Sequence, residues 1–232
     1  MCIRDSPHRG IETVTIAYKG KVEHNDSTGA GGVIEEGGVQ WMTSGKGILH
    51  KEYHEKNFSK KGGEMQMVQL WVNLPAKDKM TEPKYQNIEN KDLAKVDLGS
   101  GIGSIDIIAG ELENSKGPAS SFTPLSLFNV KLNKGKGTSL SFNESHNTGL
   151  LIIKGNVTIN NKERTPTNHF VLFENKGKEF TIRAEDDAEI LILSGEPIDE
   201  PIASYGPFVM NTNDEIRQTI DDFNNGKFGY LD

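Results

Sequence analysis

His50 and Glu52 stand two residues apart, and so do Ser6 and His8. On a β-strand, residues i and i+2 point to the same face. Two neighbouring strands of a barrel carrying these pairs would aim four side chains into one lumen. Imidazole and carboxylate are suitable ligands for a divalent transition metal. Two histidines plus one carboxylate, with positions left open, is the set used by non-haem iron(II) enzymes. The same spacing also occurs in plain surface pairs, so it leaves both readings open. His50 and His54 lie four apart, but a zinc protease needs His-Glu-x-x-His on a helix, and Glu52 is misplaced for that. His24, His146 and His169 read as turn or surface histidines. Trp41, Met42 and Met67 read as core residues or as walls of a flat apolar pocket. The Gly-Lys-Gly runs at 45–47 and 135–137 lack the spacing of a phosphate loop and read as turns.

Such residues need strands to position them, and most of the chain reads as short strands between turn residues. Thr13 to Tyr18 alternates and is rich in β-branched residues. Met65 to Leu74 is the longest candidate; its set Gln66, Val68, Leu70, Val72 and Leu74 is the more apolar and is expected to face a core. Further strands are expected at 104–109, 125–131, 138–142, 149–153, 156–159, 169–173, 179–183 and 189–194. Many short strands with Gly, Asn and Pro between them suggest a sandwich or barrel. The tail differs. Thr212 to Glu215 offers a helix cap and N-terminal acids, Ile216, Ile220 and Phe223 recur at helical spacing, and Asn224-Asn225-Gly226 ends the run.

The chain has 232 residues, 25% of them charged and 34% hydrophobic, which fits a globular protein of one large or two ordinary domains. Its 25 glycines favour tight turns over long helices. No apolar run approaches the ~18 residues of a membrane span. The net charge of -7 argues against a general grip on nucleic acid, which wants a basic face. The single cysteine, Cys2, allows no intrachain disulfide and fits a reducing, cytoplasmic setting.

The text around the His-x-Glu pair is more specific than its spacing. Pro7 to Thr15 (PHRGIETVT), His24 to Gly29 (HNDSTG), Gln40 to Glu52 (QWMTSGKGILHKE) and Gly206 to Thr212 (GPFVMNT) resemble the pirin family over nearly the whole chain. The resemblance implies an all-β bicupin: two β-barrel domains of the cupin, or jelly-roll, type with a C-terminal helix, and metal only in the first barrel. The expected division is 7–115 for the N-terminal cupin, 116–124 for a linker, 125–210 for a metal-free C-terminal cupin and 211–232 for the helical tail. Carried over, the family's metal ligands fall on Ser6, His8, His50 and Glu52. Three of the four match, giving His8, His50 and Glu52 as the ligands of one iron(II). Glu12 is expected to act through hydrogen bonds rather than as a ligand, and Arg9 to pair with a local carboxylate.

Residues Met1 to Ser6 read like the in-frame translation of a transposon sequencing adaptor, with genuine sequence beginning near Ser6 or Pro7. Family members begin with several strands before this motif, so the first barrel is expected to lack part of its wall. The resemblance implies an iron(II)-dependent dioxygenase of the quercetin 2,3-dioxygenase type. A small aromatic substrate such as a flavonol would lie against apolar barrel residues, and Glu52 would serve both as ligand and as acceptor of the substrate hydroxyl proton. The alternative is an iron-bearing regulator without turnover that binds a transcription factor or a metabolic enzyme, with no direct contact to nucleic acid.

Overall fold

The computed structural model describes residues 2–231, with side chains from Ser6 onward. Of the adaptor-like stretch, Met1 lies outside the described residues, and residues 2–5 contribute backbone only. The chain forms two compact units. The first comprises the residues up to 92 together with those from 198 onward; the second spans 93–197.

The first unit is built on two four-stranded antiparallel sheets. β1 (Cys2–His8), β3 (Val22–Asp26), β4 (Gly31–Ile34) and β6 (Ile48–His54) form one, in the order β1-β6-β3-β4. β2 (Ile11–Lys19), β5 (Val39–Thr43), β7 (Gln66–Asn73) and β8 (Lys84–Ile88) form the other, in the order β7-β2-β5-β8. Register decides which side chains share a face. On β6, His50 is paired with both Ser6 and Asp26, and Glu52 is paired with His24. His8 sits opposite Ile48, two positions along, so Ser6, His8, His24, Asp26, His50 and Glu52 all project to one side. On the second sheet, Thr15 aligns with Gln40 and Gln69, and Thr13 with Met42 and Trp71. This face meets the first through side-chain hydrogen bonds from Thr15, Gln40 and Gln69 to Glu52. The opposite face carries Val14, Ile16 and Trp41, all fully buried.

Glu55 caps a short helix, α1 (Lys56–Lys61), by accepting from the backbone N–H of Asn57 and Phe58. The expected tail helix is α2 (Asn213–Asn224). Its capping box is complete: Thr212 accepts from the N–H of Glu215, and Glu215 accepts from the N–H of Thr212. α2 packs with the hairpin Ala203–Tyr205/Phe208–Met210, where Phe208, Met210, Ile216 and Phe228 form a small core. That hairpin meets the loop after β1 very closely: a Cβ on Gly10, whose φ is +79°, would lie 2.0 Å from the Val209 carbonyl oxygen. Only glycine fits there. The fully buried Lys79 bolts the same corner, its Nζ donating to the carbonyls of Gly10 and Val209 and to Asn73 Oδ1.

The second unit has a six-stranded sheet in the order Phe170–Leu172, Asn147–Lys154, Ala188–Gly195, Leu125–Leu132, Gly103–Ala109, Ala94–Asp97. A four-stranded sheet follows the order Gly137–Ser141, Glu179–Ala184, Val157–Ile159, Glu163–Thr165. The facing sides alternate strictly apolar. Ile105, Ile107, Phe128, Val130, Leu150, Ile152, Ile190 and Ile192 meet Leu140, Val157, Ile159, Phe180 and Ile182 in one core. The compact units divide the chain differently from the expected 7–115 and 125–210. Residues 103–109 pair along 127–132, so that strand belongs to the second unit although it precedes the connector at 116–124. The segment from 198 onward groups with the first unit.

Candidate metal centre

His24, His50 and Glu52 each offer one ligand atom to a group lying within 4.8 Å of one another, and all three residues are buried. β3 and β6 supply them because cross-strand pairing sets His24 beside Glu52. From its sequence context His24 is expected to be a turn or surface histidine. It is instead fully buried, its Nδ1 lying 3.5 Å from His50 Nδ1 and 2.9 Å from Gln40 Nε2. The Tyr85 ring stacks on its imidazole at 4.8 Å and 12°. A signal for His24 was present: His24 and Asp26 repeat the i, i+2 spacing of His50 and Glu52. His146 is half-buried and His169 exposed, both in the second unit.

His8 lies outside the 4.8 Å group but next to it. Its ring centroid is 4.9 Å from that of His50, and the edge contact with Trp71 is 5.4 Å between centroids. Burial, and then the neighbouring His50, lower the His8 pKa from 6.5 to about 4; a hydrogen bond to the Pro207 backbone works the other way. Proline has no N–H, so that bond is a donation from the imidazole to a carbonyl. The other nitrogen, Nδ1, is buried without a hydrogen-bond partner. Burial, and then His24, likewise lower the His50 pKa to about 4. Both rings are therefore neutral near pH 7, with lone pairs to give.

Glu52 is held by three donors. Thr15 Oγ1 at 2.9 Å and Gln40 Nε2 at 2.8 Å reach Oε1, and Gln69 Nε2 reaches Oε2 at 2.6 Å. Two imidazole nitrogens 3.5 Å apart, a fixed carboxylate and a further buried, unpartnered imidazole nitrogen fit a divalent cation. Glu12 points elsewhere. It lies on the Val14 and Ile16 face of β2 and accepts a 2.7 Å hydrogen bond from Thr43 Oγ1, while burial raises its pKa. Arg9 takes its carboxylate from α2, not from a local residue. Its Nη1 bonds Asp222 at 2.9 Å, its Nε bonds the Lys46 carbonyl at 2.7 Å, and its guanidinium sits 4.7 Å from the Phe228 ring centre. On β6 the His50/His54 pair is in a strand, which excludes the helical zinc-protease geometry.

Two facing-sheet units, one with a buried histidine–carboxylate group that could hold a metal, define a bicupin. The chain belongs to the pirin family: residues 1–72 match the family's Pirin domain and residues 127–229 its Pirin C-terminal cupin domain. It is 47% identical to a quercetin 2,3-dioxygenase from Acinetobacter baumannii, whose crystal structure superposes with a TM-score of 0.95 over 99% of this chain and 80% of that one. A Pseudomonas aeruginosa protein named provisionally as a quercetin 2,3-dioxygenase is 46% identical over 222 residues, 96% of this chain and 77% of that protein. A pirin-like protein from Solanum lycopersicum is 37% identical over 229 residues, 97% of this chain and 76% of its own length.

Proposed function

We propose that this chain is an iron(II)-dependent oxidoreductase of the quercetin 2,3-dioxygenase type, working on a flavonol-like aromatic enol in the first unit. The observation that carries the reading is the Glu52 carboxylate, fixed by three donors among buried, neutral histidines. His8, His50 and Glu52 would hold the ion, with His24 beside them. The bound ion would act as a Lewis acid toward the substrate's oxygen.

The chain's own groups do the rest. Glu52 Oε2 has Gln69 as its hydrogen-bond donor, and Gln69 sits exposed on the edge strand β7. When Gln69 turns away, Oε2 is free to take the substrate's hydroxyl proton. Thr15 and Gln40 keep Oε1 in place meanwhile. Met67 and Trp71 share the Gln69 side of β7 and offer apolar surface to a flat ring. A reducing cytoplasm suits an iron(II) protein with no disulfide.

The test is oxygen uptake with quercetin after anaerobic loading with iron(II). Uptake should appear in the loaded chain and fall by at least ~100-fold in Glu52→Gln, which removes the proton acceptor. A chain that binds iron stoichiometrically yet consumes no oxygen with any flavonol rules the activity out.

A further inference from the structure

We infer that Asp26 is a positioning residue that fixes His24 in the one tautomer whose Nδ1 carries a lone pair on the side of His50 and Glu52. The inference rests on the metal-binding reading above and assigns a task to the His-x-Asp turn that this reading leaves idle.

The two oxygens of Asp26 have separate duties. Oδ1 accepts from Thr28 N–H at 2.9 Å, Thr28 Oγ1 at 2.6 Å and Ala30 N–H at 3.2 Å. Oδ2 lies 3.3 Å from His24 Nε2. A carboxylate only accepts hydrogen bonds, so the proton of this contact sits on His24 Nε2. The Asp26 and His24 side chains are both 0% exposed, so no bulk water competes for that position. In the neutral ring His24 Nδ1 is then the accepting nitrogen, and it is the atom that faces His50 Nδ1 at 3.5 Å. Gln40 Nε2 donates to it at 2.9 Å and to Glu52 Oε1 at 2.8 Å, which ties the orientation of His24 to that of the carboxylate. The Tyr85 ring, stacked at 12°, holds the imidazole plane. A carboxylate behind an imidazole also makes its other nitrogen a better donor to a metal.

The substitution Asp26→Asn separates positioning from folding. The asparagine carbonyl keeps the three turn donors, so its amide N–H₂ is left facing His24 Nε2. It donates there, which forces the His24 proton onto Nδ1 and removes the lone pair. In the metal-free chain, nitrogen-15 histidine spectra should show His24 protonated at Nε2, and at Nδ1 in the variant. Cobalt(II), titrated as a probe and followed by its visible absorption, should bind the variant about 10–100-fold more weakly. Protonation of His24 at Nδ1 in the unsubstituted chain overturns the inference, with no variant needed. So does an affinity change of less than about two-fold together with an unchanged tautomer, since losing such a partner ordinarily costs far more. If the unsubstituted chain takes up no cobalt(II), the metal-binding reading fails, and the tautomer spectrum still decides the role of Asp26.

Discussion

The two units use the same strand arithmetic to opposite ends. In both, alternate residues of facing sheets point inward. In the second unit those residues are Phe128, Val130, Leu150, Ile152, Phe180 and Ile190, and the inside is an apolar core. In the first they are His24, His50, Glu52, Thr15 and Gln40, and every one is buried. A polar interior is tolerated only where its groups satisfy one another or a ligand. The first unit meets that condition only in part, since His8 Nδ1, Gln40 Oε1, Thr13 Oγ1 and Tyr85 OH are among its buried atoms without partners. The comparison teaches that a cupin-type wall costs little to build apolar, and that a polar one is retained for what it can hold.

The largest effect that tests this contrast lies in the apolar unit. Phe128→Ala should cost about 3–5 kcal/mol, read from hydrogen exchange along Leu125–Leu132, and leave cobalt(II) affinity unchanged. A loss of metal affinity in that variant would break the division of labour.

Metal should stabilise only the polar unit. At about 100 times its dissociation constant, a divalent ion adds roughly 2.7 kcal/mol to whatever binds it when folded. Both tryptophans, Trp41 and Trp71, belong to the first unit, so indole emission during denaturation reads that unit directly. His50→Ala should abolish the increment.

The response to pH tests the same contrast. His8 and His50 fall from the usual 6.5 to about 4 in the folded chain, so between those values the unfolded chain binds more protons. Stability is therefore full above pH 6.5 and declines as pH drops toward 4. His50→Asn should flatten this step in the indole-detected transition.

Much of this was legible in the residues. Period-two spacing put His50 and Glu52 on one face, and the cap and apolar repeat marked α2 nearly to the residue. Other parts depend on pairing between distant segments, which a single sequence does not display. Thr15, Gln40 and Gln69 converge on Glu52 only because β2 lies between β5 and β7. His24 was set aside because its neighbours, Asn25 to Gly29, read as a turn. The strand β3 that carries it gains its burial from β6 and from Tyr85, some 60 positions on. The strand at 103–109 was placed in the first domain by its position in the chain, whereas its hydrogen bonds run to 127–132.

Arg9 immediately follows His8, and its guanidinium is clasped by Asp222 and Thr219 of α2 and covered by Phe228. Asp222 is itself gripped by Lys227 and Gln218, and Lys227, Arg9 and Gln218 together lower its pKa to about 2, so the clasp persists across the physiological range. A nick or a bulky label on the last turns of that helix would thus be felt two hundred residues upstream, as slack in the histidine next to the clasp. The tail thus anchors, through Arg9, the strand end that carries His8.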